Sequence, residues 1–342
     1  MYSPQGDAVG APPPAKRPSA TAAAAAYLIA VAGLALISVL YGPITRAASA
    51  LFPGLSAHGV ELVAQLAYYL PFMLLPALLL ARRGGAEDAA RLTRPVGPVG
   101  MLGVAALALA GLLFVQYLSV LWTMLMEALN VPLLDMSPTL PDNVPDAMLM
   151  VIYYAALPGV CEEVFFRGAM LGAFERVGTR RAVALTAVLF TLMHGSIEGF
   201  PAQLLLGLML GYLAYAFDSV YAPIVYHTVH NAAIVLINLY ATGTETTAQE
   251  AELLAQGTFA YFGGWPGVMQ LVLYTALLGW AMRGFLRVVQ HSAHRRGVAC
   301  VPPGGEKLGV GARVLLGLGV AALALVYIAN ALIARELAGG AA

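Results

Sequence analysis

About nine apolar runs, each long enough to cross a hydrocarbon layer of ~30 Å, recur along this chain and leave little choice of fold. Bounded by charge, Gly and Pro, they fall near 22–42, 58–81, 100–128, 147–174, 181–198, 201–217, 220–240, 266–288 and 311–334. Lipid offers free backbone groups no hydrogen-bond partner, so such runs must be helical; the period-two alternation of a membrane barrel is absent from the sequence. The expectation is an all-α polytopic membrane bundle of about nine transmembrane helices, with the lipid bilayer as its first partner. Composition agrees, since 60% of the 342 residues are hydrophobic and 11% charged, where a soluble domain is about a quarter charged. The 18 Lys and Arg balance the 18 Asp and Glu, so no basic excess invites nucleic acid and no acidic tail solvates the chain. Two cysteines, Cys161 and Cys300, are too few for a disulfide scaffold or a thiolate zinc cluster.

Residues 1–20, rich in Pro, Ala and Gly, read as a disordered tail, 21–335 as one membrane domain and 336–342 as a short C-terminal tail. The first apolar run exceeds the ~7–15 residues of a signal-peptide core and is expected to be a retained helix. Lys16 and Arg17, then Arg82, Arg83, Arg91 and Arg94, then Arg176, Arg180 and Arg181, then Arg283 through Arg313 fall on alternate loops. The intervening loops carry Asp135, Asp142, Glu198, Glu245, Glu250 and Glu252 without Lys or Arg, and only Arg46 breaks the pattern. Basic loops stay cytoplasmic, which predicts a cytoplasmic N-terminus and an odd number of spans. High Ala, Gly and Arg with little Lys points to a bacterial inner membrane. No internal repeat is visible, which weighs against a transporter built from paired halves. Gly168/Gly172 and Gly207/Gly211 stand four apart and read as close helix contacts.

A charge at the bilayer centre costs at least ~2.5–3.5 kcal/mol, so ionisable groups there are expected to be functional. Three spans carry them. The fourth reads Pro158-Gly159-Val160-Cys161-Glu162-Glu163-Val164-Phe165-Phe166-Arg167, the fifth Phe190-Thr191-Leu192-Met193-His194, and the seventh His227-Thr228-Val229-His230-Asn231. Glu163 and Arg167, four apart with the acid first, suit a same-face ion pair. Glu162 points about 100° away around the helix and is left as the better general base. Pro158 removes a backbone hydrogen bond and predicts a kink. At ~1.5 Å per residue, Glu162 and His194 both lie ~21 Å from their flanking arginines, and His227 and Asn231 lie ~14 and ~20 Å from Asp218. Four polar side chains on three spans are thus expected at similar depth.

The set Glu-Glu-x-x-x-Arg, Phe-x-x-x-His and His-x-x-x-Asn, in this order on successive hydrophobic segments, resembles the CAAX prenyl protease and bacteriocin-processing family of intramembrane endopeptidases. The resemblance covers about 147–240, the fourth to seventh spans. It implies Glu162 as catalytic base, Glu163 and Arg167 as its supporting pair, Phe190 as packing, and His194, His227 and Asn231 as site residues, acting on a membrane protein or peptide. Amide hydrolysis needs an activated water and a stabilised oxyanion; Glu162 with His194 would hold the water, His227 with Asn231 the oxyanion. The resemblance also raises a metalloprotease reading, with zinc on Glu162, His194 and His227 and water in the open position. Zinc-assisted and metal-free routes both stay open. A serine mechanism lacks support because none of the three motifs contains Ser, and Cys161 sits among apolar residues that disfavour a thiolate. His230, outside the motif, reads as structural, and the Trp and Tyr residues as interface anchors and filler. Two other classes use similar groups: an ion- or proton-coupled transporter with a buried Glu/His network, and a non-catalytic immunity or scaffold protein.

Overall fold

Apolar residues on every face of the long runs leave hydrogen bonds within each segment as the only way to satisfy the backbone, and the chain folds accordingly. The computed structural model describes residues 18–83, 91–92, 94–134, 140–241, 247–294 and 306–340. The expected tail up to residue 17, with Lys16 and Arg17, and Asp135, Glu245 and Cys300 lie outside them. Among the described residues there are helices and connections and no strand. In chain order the helices are α1 (Ala20–Leu51), α2 (Ala57–Arg82), α3 (Pro98–Ala128), α4 (Val144–Val177), α5 (Thr179–Met193), α6 (Phe200–Phe217), α7 (Tyr221–Ala241), α8 (Ala248–Ala255), α9 (Thr258–Tyr261), α10 (Trp265–His294) and α11 (Val310–Gly340). Side-chain oxygens of Ser19, Ser56 and Asn143 cap α1, α2 and α4 by accepting from the first-turn N–H groups of Ala22, Gly59 and Asp146. Helix α11 runs to Gly340, so the stretch expected to be a C-terminal tail is largely helical.

Eight of these helices, α1 to α4, α6, α7, α10 and α11, are long and apolar enough to span a membrane. The fifth apolar run differs from its expected limits of 181–198. Helix α5 has 15 residues, only ~22 Å of rise, and stops at His194. The chain turns there through Gly195, whose φ of +64° strains any residue with a Cβ. A helix end at this depth needs partners for its carbonyls. Tyr327 of α11 donates to Thr191 O at 3.3 Å, Asn330 of α11 to Gly195 O at 2.8 Å, and Trp122 of α3 to Ile197 O at 2.8 Å.

Two helices bulge where proline interrupts the ladder. Helix α2 contains a π-helical turn at Tyr69–Leu74 that includes Pro71, and α4 contains one at Val151–Ala156 just before Pro158. The predicted kink therefore takes the form of a π-turn, with Leu157 N–H bonded to Ile152 O five residues back. A second π-turn in α4, Val164–Met170, includes Arg167.

The small-residue reading of Gly207 and Gly211 is borne out. A Cβ on Gly207 would stand 3.1 Å from the Cα of Ala187 on α5, and one on Gly211 would stand 2.9 Å from Val183. Backbone cannot yield as a side-chain tip can, so Gly207→Val is expected to cost about 1–3 kcal/mol by overpacking. Thermal unfolding of the purified protein measures this; an unchanged midpoint would refute the close crossing.

Candidate active site

Pro158 sets up the first polar contact between α4 and α7. Lacking an N–H, it cannot donate to Tyr154 O four residues earlier, and Asn231 Nδ2 donates to that carbonyl at 3.0 Å. Two helices are thereby pinned together beside the π-turn, and the second amide N–H and Oδ1 of Asn231 are left for the space between them. Close crossing on the same side is allowed by Gly159, where a Cβ would fall 2.3 Å from Thr228 Oγ1.

The adjacent glutamates separate as helical geometry predicts. Glu163 and Arg167 are both 0% exposed, and Glu163 Oε1 accepts from Arg167 Nη1 at 2.8 Å. The same oxygen accepts from His227 Nδ1 at 2.9 Å, a link the sequence spacing did not reveal. Because an ionised carboxylate only accepts, Nδ1 of His227 carries hydrogen and Nε2 is the ring atom left over. Arg167 also donates to Gly207 O at 3.0 Å and lies 4.5 Å from the centroid of the Phe190 ring, a cation–π contact made in a dry setting. Phe190 does pack against the site as expected, with its ring 4.8 Å from that of His194.

His194 occupies the turn that ends α5. Its Nδ1 is 3.0 Å from Phe190 O, and a carbonyl can only accept, so Nδ1 bears hydrogen and the neutral ring offers the Nε2 lone pair. Glu162 is 9% exposed; its Oε1 accepts from Tyr69 of α2 at 2.7 Å, while Oε2 is buried and has no protein partner.

Glu162, His194, His227 and Asn231 all line one cavity of about 470 Å³. The four side chains expected to meet do share a pocket. His230 lines it as well, stacked on Tyr226 with ring centroids 6.1 Å apart and with Nδ1 buried and unpartnered. Cys161 is buried and is not among the cavity-lining side chains.

Among the described residues, no group of three or more His, Cys, Asp or Glu side chains is arranged to hold a metal ion. Glu162, His194 and His227, the residues named for zinc by the motif reading, border the same space.

Support also arrives from parts of the chain that the motifs do not mark. Tyr69 of α2 reaches Glu162, and the π-turn that carries it packs against the Leu157–Glu163 segment of α4. Arg91, expected as a loop charge, is buried: it donates to Arg167 O at 3.3 Å and pairs with Glu175 and Asp218. Tyr327 and Asn330 hold the turn that bears His194. A single tyrosine or asparagine in an apolar run has no local signature that distinguishes it from core filler, so the sequence alone could not single these out.

Residues 144–233, which contain all three motifs, match the family model described as Type II CAAX prenyl endopeptidase Rce1-like. The resemblance read from Glu162, Glu163, Arg167, Phe190, His194, His227 and Asn231 agrees with that match. Comparison of the chain with curated proteins and with solved structures gave no match.

Proposed function

We propose that this chain, with its Rce1-like segment at 144–233, is an intramembrane endopeptidase that hydrolyses peptide bonds of a membrane-associated protein or peptide. The observation that carries this reading is the common cavity bordered by Glu162, His194, His227 and Asn231, drawn from three helices. A water held between Glu162 Oε2 and His194 Nε2 loses a proton to Glu162 as its oxygen attacks the scissile carbonyl carbon. The C–O double bond opens, and the oxyanion is met by the free amide N–H of Asn231 and by His227 Nε2–H. Donation from Nε2 requires the protonated ring, for which the Glu163 carboxylate on Nδ1 is a counter-ion. Glu162 then gives its proton to the leaving nitrogen as the C–N bond breaks, and the acid and amine products separate.

No step in this scheme passes through a metal. The substrate class we favour is a peptide in maturation or a membrane protein in turnover, because composition points to a bacterial cell, with the N-terminus in the cytoplasm as the loop charges predict. Purified protein in lipid nanodiscs is expected to cleave quenched fluorescent membrane peptides, offered with and without a prenylated CAAX end. Ala at Glu162 or His194 should abolish the signal. Treatment with a chelator should leave the rate unchanged, whereas loss restored by zinc would assign Glu162, His194 and His227 as ligands after all. Comparing membrane proteomes of cells carrying wild type and Glu162→Ala should reveal a peptide that fails to appear. Proton flux through the reconstituted protein without any cleavage would overturn the endopeptidase in favour of a transporter.

A further inference from the structure

Tyr69 lies 93 positions before Glu162 and outside the family-matched segment, yet its hydroxyl donates to the Glu162 carboxylate at 2.7 Å. We propose that Tyr69 is the positioning residue of the catalytic base, fixing which carboxylate oxygen meets the water; this rests on the endopeptidase reading above.

Two other tyrosines, both buried, settle their hydroxyls on backbone carbonyls. Tyr27 donates to Leu189 O at 3.0 Å and Tyr68, its ring 5.2 Å from that of Tyr69, to Ala30 O at 3.4 Å. Tyr69 alone of these three turns to a carboxylate. It stands where the regular part of α2 gives way to the π-turn at Tyr69–Leu74, and π-turns of this kind recur at functional sites because the extra residue re-aims side chains. The contact length is that of a well-formed O–H···O hydrogen bond.

The terminal torsion of a glutamate is soft and nearly two-fold, so an unheld carboxylate presents either oxygen. Tyr69 occupies Oε1. Oε2, buried and without a protein partner, is then the one atom free to take the proton from water. Holding the base at one rotation places the proton acceptor before substrate arrives, and geometry of that kind contributes to the chemical step rather than to binding.

Tyr69→Phe deletes one oxygen and keeps the ring. Infrared difference spectroscopy of the full-length protein comes first and needs no substrate. The Glu162 carboxylate band, identified by its loss in Glu162→Gln, is expected to shift in Tyr69→Phe and to stay in place in Tyr27→Phe. With a quenched peptide that the wild type cleaves, Tyr69→Phe is expected to lower kcat about 10- to 100-fold with KM unchanged. A band that does not move overturns the proposal whatever the activity, and a shifted band with wild-type kcat overturns the positioning role. Cleavage that survives in Glu162→Gln instead defeats the endopeptidase mechanism, while the infrared result still judges the Tyr69 contact.

Discussion

Replacing Glu162 with Gln is expected to lower kcat by about 10²–10⁴-fold, the usual worth of a positioned general base, with KM little changed. Glutamine keeps the size of the side chain and can still accept from Tyr69 at its carbonyl oxygen. What it lacks is a basic oxygen for the water proton. Effects on folding should therefore be small, and the loss should sit in the chemical step. Initial rates of peptide cleavage in nanodiscs across a substrate range give kcat and KM separately. Wild-type kcat in Glu162→Gln would refute the base. The neighbouring Glu163→Gln is expected to behave differently, losing stability along with rate, because that carboxylate holds both Arg167 and His227. One residue of separation, about 100° of helix, thus divides a reacting group from a structural one.

The division of labour between the two glutamates was legible because an α-helix converts spacing into direction. Arg167 four residues on had to share a face with Glu163, and the pair forms. Depth arithmetic from the loop arginines and from Asp218 put Glu162, His194, His227 and Asn231 at similar depth, and the four border one cavity. It failed where the backbone departs from regular helix. The turn at His194 and Gly195 ends α5 before the expected limit at 198, and Tyr327, Asn330 and Trp122 satisfy the broken ladder from other helices, a pairing that spacing within the run does not encode. Proline signalled trouble at Pro158 but not its form, a π-turn whose neighbouring carbonyl is taken by Asn231. Tyr69 was invisible for a related reason. Its partner is 93 residues distant, and nothing in a hydrophobic run marks one tyrosine hydroxyl as bound to a carboxylate and another as bound to backbone. Periodicity within a segment can be read from sequence; pairing between segments, where a lone polar side chain finds its partner, is a property of the packed bundle.

The largest effect on stability is expected at Arg167. Its side chain is 0% exposed, pairs with Glu163, donates to Gly207 O across to α6 and lies over Phe190. Arg167→Met removes the cation and strands a buried carboxylate, with His227 as its remaining partner, and breaking one side of a buried pair typically costs about 3–5 kcal/mol. Removing both charges is a different matter, since an apolar replacement of a whole buried pair is often close to neutral. The double variant Glu163→Leu/Arg167→Met should therefore recover much of the unfolding midpoint lost in Arg167→Met alone. Activity should not return with it. Without Glu163 the His227 ring has no carboxylate on Nδ1, so neither its tautomer nor its protonation is held for the oxyanion. Thermal unfolding and cleavage measured on the wild type, the single and the double variant separate the two roles. A double variant that regains full cleavage would show that the Glu163–Arg167–His227 cluster serves the fold alone, whereas one as unstable as Arg167→Met would show that the contacts to Gly207 and Phe190, rather than the buried charge balance, hold the helices in place.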